Sequence, residues 1–319
     1  MSAKLPQPLA TVPAALLVKN ATPVEWLVEG LLLKSGAAIL GGAPKSGKSF
    51  LALDLCVAVA TGTLGAGFFR VAAAGPVMLF CAEDPSPVLA SRLRALARSR
   101  SLSLDNLPIE VIVEQTVRLP EALPRLAATL ARSRPGLLLL DPLIRLHRAD
   151  ENSATEMAVV LDGLRNLARA ANTAILLVHH ARKAASPSSP GSGLRGSSDL
   201  AAFADANLYL RRLDDVRLEL RIEHRAAACP DPLHLRLCVE AEGSLARFQV
   251  QHSTTKDPSV SRLLALLEHS PTPLSASVLR TKLGVRNQTV SAALRALLAQ
   301  GSVERCGRDG WTLKRPLPL

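Results

Sequence analysis

Apolar and polar positions fall in alternating blocks along the first 250 residues or so of the chain. A short apolar run, Ala37 to Leu40, predicts a buried strand, and "FLALDLCVAVA" behind it predicts a helix from Lys48 to about Ala60. The same pair of signals then recurs. Strand Val77 to Cys81 precedes the amphipathic helix "SPVLASRLRALARSR", strand "IEVIV" precedes helix "PEALPRLAATLARS", and strand Leu137 to Leu140 precedes a helix around Ala154 to Ala170 and the strand "AILLVHH". Strands that are apolar at every position are buried on both faces. Their alternation with helices predicts right-handed crossovers and an α/β fold with a mainly parallel sheet, whose ligands bind at the carboxyl ends of the strands.

After His180 the pattern breaks. "ARKAASPSSPGSGLRGSSD" is Ser, Pro and Gly with three basic residues, too polar to pack, and is expected to be a mobile loop. "NLYLRR", "VRLELRIEH", "HLRLCVE" and "SLARFQV" then alternate at period two, which predicts an antiparallel extension of the sheet to about Val250. The expected organisation is a lead-in over 1–36, an α/β core over 37–250, a linker "QHSTTKDP" ending at 258, and a small domain over 259–315. That last segment reads helix, helix, tight turn at Gly284, helix and two short strands around Gly307 to Gly310, the order of a winged helix.

Composition sharpens this reading. With 319 residues, 48% of them hydrophobic, the chain can bury one large core and one small one. Its net charge of +11 suggests a polyanionic partner. From Ser259 to Leu319, nine Lys or Arg stand against three acids, so more than half of the excess lies in under a fifth of the chain. Five scattered cysteines with no Cys-x-x-Cys pair read as reduced thiols of a cytoplasmic protein. No apolar run reaches membrane-spanning length, and the N-terminal "AALLV" is too short for a secretory segment.

The candidate chemistry begins at the end of the first strand. Gly42, Ala43, Pro44, Lys45, Ser46, Gly47, Lys48 and Ser49 match a phosphate-binding loop. In such a loop glycines let backbone N–H groups close around a polyphosphate, the lysine reaches the outer phosphates, and the serine hydroxyl holds Mg2+. A polyphosphate nucleotide with Mg2+ is the ligand this spacing implies. Hydrolysis needs carboxylates as well. Asp141, closing "LLLLD", is placed to hold the magnesium shell. Glu83, closing "MLFCAED", is placed to polarise the attacking water, with Asp84 beside it as the helix cap. His179 and His180 point to opposite faces of their strand, and His180 is taken as the one facing the nucleotide.

Together "GGAPKSGKS", "FCAED", "LLLLDPLIRLHRADENS", "ILLVHHARK", "GLRGSSDLAAFADANLYLRR" and "IEHRAAACPDP" resemble the RecA-like AAA-family ATPases related to plasmid RepA hexameric replicative helicases. The resemblance covers about Trp26 to Val250. It implies ATP bound between subunits of a ring, Lys48 and Ser49 on phosphate and magnesium, Glu83 as catalytic carboxylate, Asp141 in the magnesium shell and the second histidine as γ-phosphate sensor. Related motors carry Lys-x-Arg on a late strand; here the triplet is Glu223-His224-Arg225, so only Arg225 matches as an arginine finger. Glu223 and Arg225 also share a strand face, where they can simply pair.

Nucleic-acid contacts are expected from two basic loops and from the C-terminal domain. Arg145 and Arg148 follow Asp141, and Arg182, Lys183 and Arg195 lie in the polar loop. Both loops lack aromatics, which suits phosphate contact with single-stranded DNA in a ring channel. Arg286, Asn287 and Gln288 open the recognition-type helix and Arg308 sits in the wing, which suits duplex DNA. The expected function is therefore an ATP-driven DNA helicase or translocase forming a homo-oligomeric ring, a hexamer by the resemblance. The alternative is an ATP-switched DNA-binding regulator or loader without unwinding.

Overall fold

The structure, a computed structural model, describes residues 10–19, 23–113, 116–180, 198–240, 243–251, 258–270, 272–285, 287–299, 302–306 and 310–313. The chain divides into two compact units, Met1–Gln251 and His252–Leu319. In chain order the first unit contains α1 (Ala14–Lys19), β1 (Trp26–Val28), β2 (Leu32–Leu33), β3 (Ala37–Gly42), α2 (Lys48–Thr61), β4 (Val77–Cys81), α3 (Ser86–Arg98), β5 (Ile109–Val111) and α4 (Leu123–Ser133). It continues with β6 (Leu137–Asp141), α5 (Ala154–Ala171), β7 (Ala174–His180), α6 (Ser198–Phe203), β8 (Ala206–Arg212), β9 (Arg217–His224), β10 (Leu233–Val239) and β11 (Ala246–Gln251).

Nine strands form one sheet in the order β11-β10-β9-β8-β3-β7-β6-β4-β5. Its central strands are buried on both faces, and the period of two sorts their side chains into two cores. Ala38, Leu40, Val77, Leu79, Leu137, Leu139, Leu176 and Val178 pack on the face covered by α2 and α3. Ala37, Ile39, Met78, Phe80, Leu138, Leu140, Ile175 and Leu177 pack on the opposite face, under α4, α5 and α6. Helix α2 is buried nearly all round, from Leu51 to Ala60. Its one internal carboxylate, Asp54, is therefore paired: Arg100 donates to it at 2.7 Å and the Ala66 backbone N–H at 2.6 Å.

Two details differ from the sequence expectation. The antiparallel extension starts one strand later than predicted, because β8 runs parallel to β3 and only β9, β10 and β11 alternate in direction. Helix α6 lies in the crossover that makes a parallel return possible. The segment ahead of the core is also more than a lead-in. β1 and β2 pair as a small antiparallel hairpin, and Leu27, Val28, Leu31 and Leu32 bury in the first core.

The second unit contains α7 (Pro258–Glu268), β12 (Leu274–Ser275), α8 (Ala276–Leu283), α9 (Asn287–Ala299), β13 (Val303–Cys306) and β14 (Gly310–Leu313). Its strands form a three-stranded sheet, β12-β14-β13, in which the two-residue β12 was not foreseen. Ser275 caps α8 by accepting from the Val278 N–H, and Gly284 ends it in the left-handed region at φ 66°, where a side chain would be strained. Leu263, Leu267, Leu279, Leu283, Val290, Leu294 and Leu297 close its separate core. Helix-turn-helix followed by a hairpin is a winged helix. Among the described residues no helix is long and apolar enough to cross a membrane.

Candidate functional site

The turn between β3 and α2 is shaped by two glycines. A Cβ on Gly42 would lie 2.3 Å from the Leu210 carbonyl oxygen and 2.9 Å from Ser46 Oγ, so β8 leaves room for nothing larger. Gly47 sits at φ 94°, a conformation that L side chains rarely adopt, and from it the chain enters α2 at once. The loop closes on itself through Ser46 N–H to the Ala43 carbonyl at 3.2 Å, while Ala43, Pro44 and Lys45 are exposed. Ser46 Oγ is buried without a hydrogen-bond partner, which marks a place where a polar ligand atom is wanted.

Lys48 is buried at the start of α2 and donates from Nζ to the Ala43 carbonyl at 2.8 Å. Burial pulls its ammonium pKa down, and Asp141 and Glu83 act in the opposite direction. The parallel register sets Cys81 opposite Asp141 and Gly42 opposite His180, so the ends of β3, β4, β6 and β7 converge on the loop. Asp141, 7% exposed, takes a hydrogen bond from the Ser49 hydroxyl. Desolvation raises its pKa to about 6 against the opposing effects of Ser49 and Lys48. A carboxylate held this close to a helix-start serine, with an orphaned hydroxyl at Ser46 and a glycine cradle, fits a hydrated divalent cation with a polyphosphate.

Glu83 and Asp84 take separate partners. Glu83 accepts from Arg145 Nε at 3.1 Å, whereas Asp84 pairs with Arg92 of α3. Asp84 does not cap α3, as the sequence suggested; the cap position is Pro85 with no side-chain bond, and Arg92 draws the carboxylate sideways. Arg92 also lies over the Phe50 ring at 5.1 Å, tying α3 to the start of α2, a link that no local sequence signal announces. His179 is buried with Nδ1 3.6 Å from Glu151 Oε1, and His147 Nε2 lies 3.9 Å from the same oxygen. His180, on the other face of β7, is the more exposed of the pair.

Arg225, beyond the end of β9, donates to the Ala202 carbonyl of its own chain, and Glu223 accepts from Tyr209 Oη at 3.0 Å. The two residues thus engage different partners. Arg145 and Arg148 are exposed on the loop after β6. Of the remaining expected nucleic-acid contacts, Arg182, Lys183, Arg195, Arg286 and Arg308 lie outside the described residues, as do the side chains of Asn287 and Gln288.

A phosphate loop between the central strand and its helix, with an acidic strand end two strands away, defines an α/β nucleotide-binding protein of RecA-like fold. The chain belongs to the AAA domain family, whose model matches residues 3–186. Residues 257–310 match the MarR family, in keeping with the winged helix. Among solved structures, the fold is similar to a DnaB-like replicative helicase studied with its interactions with primase, at TM-score 0.54 and 16% identity. That match covers 73% of this chain and 66% of the helicase chain.

Proposed function

We propose that this chain is an ATP-hydrolysing DNA motor, a ring-forming helicase or translocase, in which 37–250 is the ATPase core and 259–315 binds duplex DNA. The observation that carries the proposal is the convergence of Lys48, Ser49, Asp141 and Glu83 on one glycine-shaped loop. The loop N–H groups and Lys48 bind the β- and γ-phosphates of ATP. Ser49 and Asp141 would hold Mg2+, which would supply positive charge to offset that of the phosphates. Glu83 orients water and takes its proton as the water oxygen bonds to the γ-phosphorus and the bond to the bridging oxygen breaks, releasing ADP. His180 senses the γ-phosphate from the end of β7. Arg225 serves a neighbouring subunit's nucleotide in a hexameric ring, and Arg145, Arg148, Arg182, Lys183 and Arg195 contact single-stranded DNA along its channel. Arg286, Asn287, Gln288 and Arg308 contact the duplex.

ATPase assays with and without oligothymidylate, on wild type and Lys48→Ala, test this reading. Expected are turnover stimulated by the oligonucleotide and its loss in the variant, since Lys48 carries the charge that meets the outer phosphates. Turnover at the wild-type rate in Lys48→Ala refutes the site. A second reading, an ATP-switched DNA-binding regulator, is favoured by the absence of lysine from Glu223-His224-Arg225 and by the engagement of Arg225 with its own Ala202. Strand displacement on a forked duplex separates the two.

A further inference from the structure

The carboxylate assigned to activate water is held by an arginine of a loop assigned to nucleic acid, and the two assignments meet in one ion pair. Arg145 Nε lies 3.1 Å from Glu83 Oε1, with side-chain exposures of 63% and 44%. The backbone beneath Arg145 is fixed. Leu143 and Leu146 on either side are fully buried, the Arg145 N–H bonds the Pro142 carbonyl at 3.1 Å, and the Arg145 carbonyl accepts from Arg118 Nη1 at 2.6 Å. A rigid mount therefore carries an accessible guanidinium, and Glu83 lies near enough to Lys48 and Asp141 to influence both.

We propose that Arg145 couples the two ligands: in the idle protein its guanidinium detains Glu83, and a nucleic-acid phosphate that takes the guanidinium releases Glu83 to face the attacking water. This rests on the ATPase reading above and adds its regulation. The physical argument is one of competition. A carboxylate oxygen that accepts from a guanidinium has that lone pair engaged and its face turned to the arginine, so it is not free to accept from the attacking water. An exposed pair of this kind is weak, whereas a phosphate backbone offers many anions and gains further from released counterions. The exchange therefore runs toward the polyanion while leaving Leu143 and Leu146 in place.

The test uses the full chain as wild type, Arg145→Lys and Arg145→Ala, with oligothymidylate as the probe. Without DNA, Arg145→Ala should raise kcat by between about 1.5-fold and 5-fold, the range that an exposed ion pair can hold back, with KM for ATP unchanged. Arg145→Lys, which retains a charge but not the guanidinium geometry, should fall between wild type and Arg145→Ala. Stimulation by oligothymidylate should shrink by the same factor in Arg145→Ala. The slope of log affinity against log salt should flatten by about 0.7, the share of one single-strand phosphate contact. A lower or unchanged basal kcat overturns the proposal, because Arg145 would then be aligning Glu83 or doing nothing to it. A raised basal kcat with an unchanged salt slope overturns the coupling to nucleic acid. Wild-type protein that hydrolyses no ATP, with or without the oligonucleotide, removes the underlying ATPase reading as well, and that outcome is distinct from the other two.

Discussion

Replacing Asp141 by Asn should stabilise the nucleotide-free protein while removing its activity. Asp141 is 7% exposed and its pKa is raised to about 6 from the ordinary 3.8, with desolvation the largest cause. A raised acid pKa means that the neutral form suits the fold. Its contribution is fully present below pH 4 and is lost as pH rises through 6. The difference of about two pKa units corresponds to about 3 kcal/mol at pH 8. Asn keeps the shape and the acceptor oxygen that Ser49 uses, but carries no charge to desolvate. Urea unfolding in EDTA, followed by circular dichroism at pH 5 and pH 8, reads the effect. Wild type and Asp141→Asn should separate by about 3 kcal/mol at pH 8, with the variant the more stable, and by about half as much at pH 5, where the carboxyl is already ionised in the unfolded chain. The same variant should lose Mg2+-dependent hydrolysis, since the charge that costs stability is the one proposed to hold the cation. An Asn variant less stable than wild type at pH 8, or a difference independent of pH, refutes the argument that burial of this charge governs the site.

Three further outcomes are expected. Glu83→Gln should retain ATP binding, measured with a fluorescent analogue, and lower hydrolysis by at least about 100-fold, the range of general-base contributions; normal turnover would leave Glu83 with its Arg145 pairing alone. Arg225→Ala should lower turnover only in assembled protein, and mixing it with Lys48→Ala subunits should partly restore activity by placing an intact arginine against an intact phosphate loop. Failure of that rescue, with both variants assembling, places Arg225 within its own subunit on Ala202. Deleting 259–319 should abolish tight duplex binding in anisotropy titrations and flatten its salt slope by several units, while basal ATPase stays largely intact; unchanged duplex affinity would make the winged helix a protein-docking module.

What the sequence determined by itself was local and periodic. The runs "AAIL", "VMLFC", "LLLL" and "AILLVHH" were legible as strands because a strand buried on both faces must be apolar at successive positions, and the structure extends the first to Gly42 and the third to Asp141. The loop from Gly42 to Ser49 was legible because its requirements, a close approach at Gly42 and a left-handed turn at Gly47, fall within eight consecutive residues. The β1–β2 hairpin and β12 escaped notice, being two or three residues per strand and too short for a period to register. The tertiary structure decided everything that depends on register between distant segments. Nothing near Ser49 in sequence reveals that Asp141 accepts a hydrogen bond from its hydroxyl, nor that Glu83 reaches Arg145, 62 positions away, while Asp84 turns to Arg92 instead of capping α3. Likewise the carboxylate of Glu151, only four residues from His147 in its own loop, meets His179 because β7 and the loop after β6 are brought side by side. These pairings follow from which strands neighbour one another, and strand order comes from packing two helical layers on one sheet, a global outcome that no local pattern encodes.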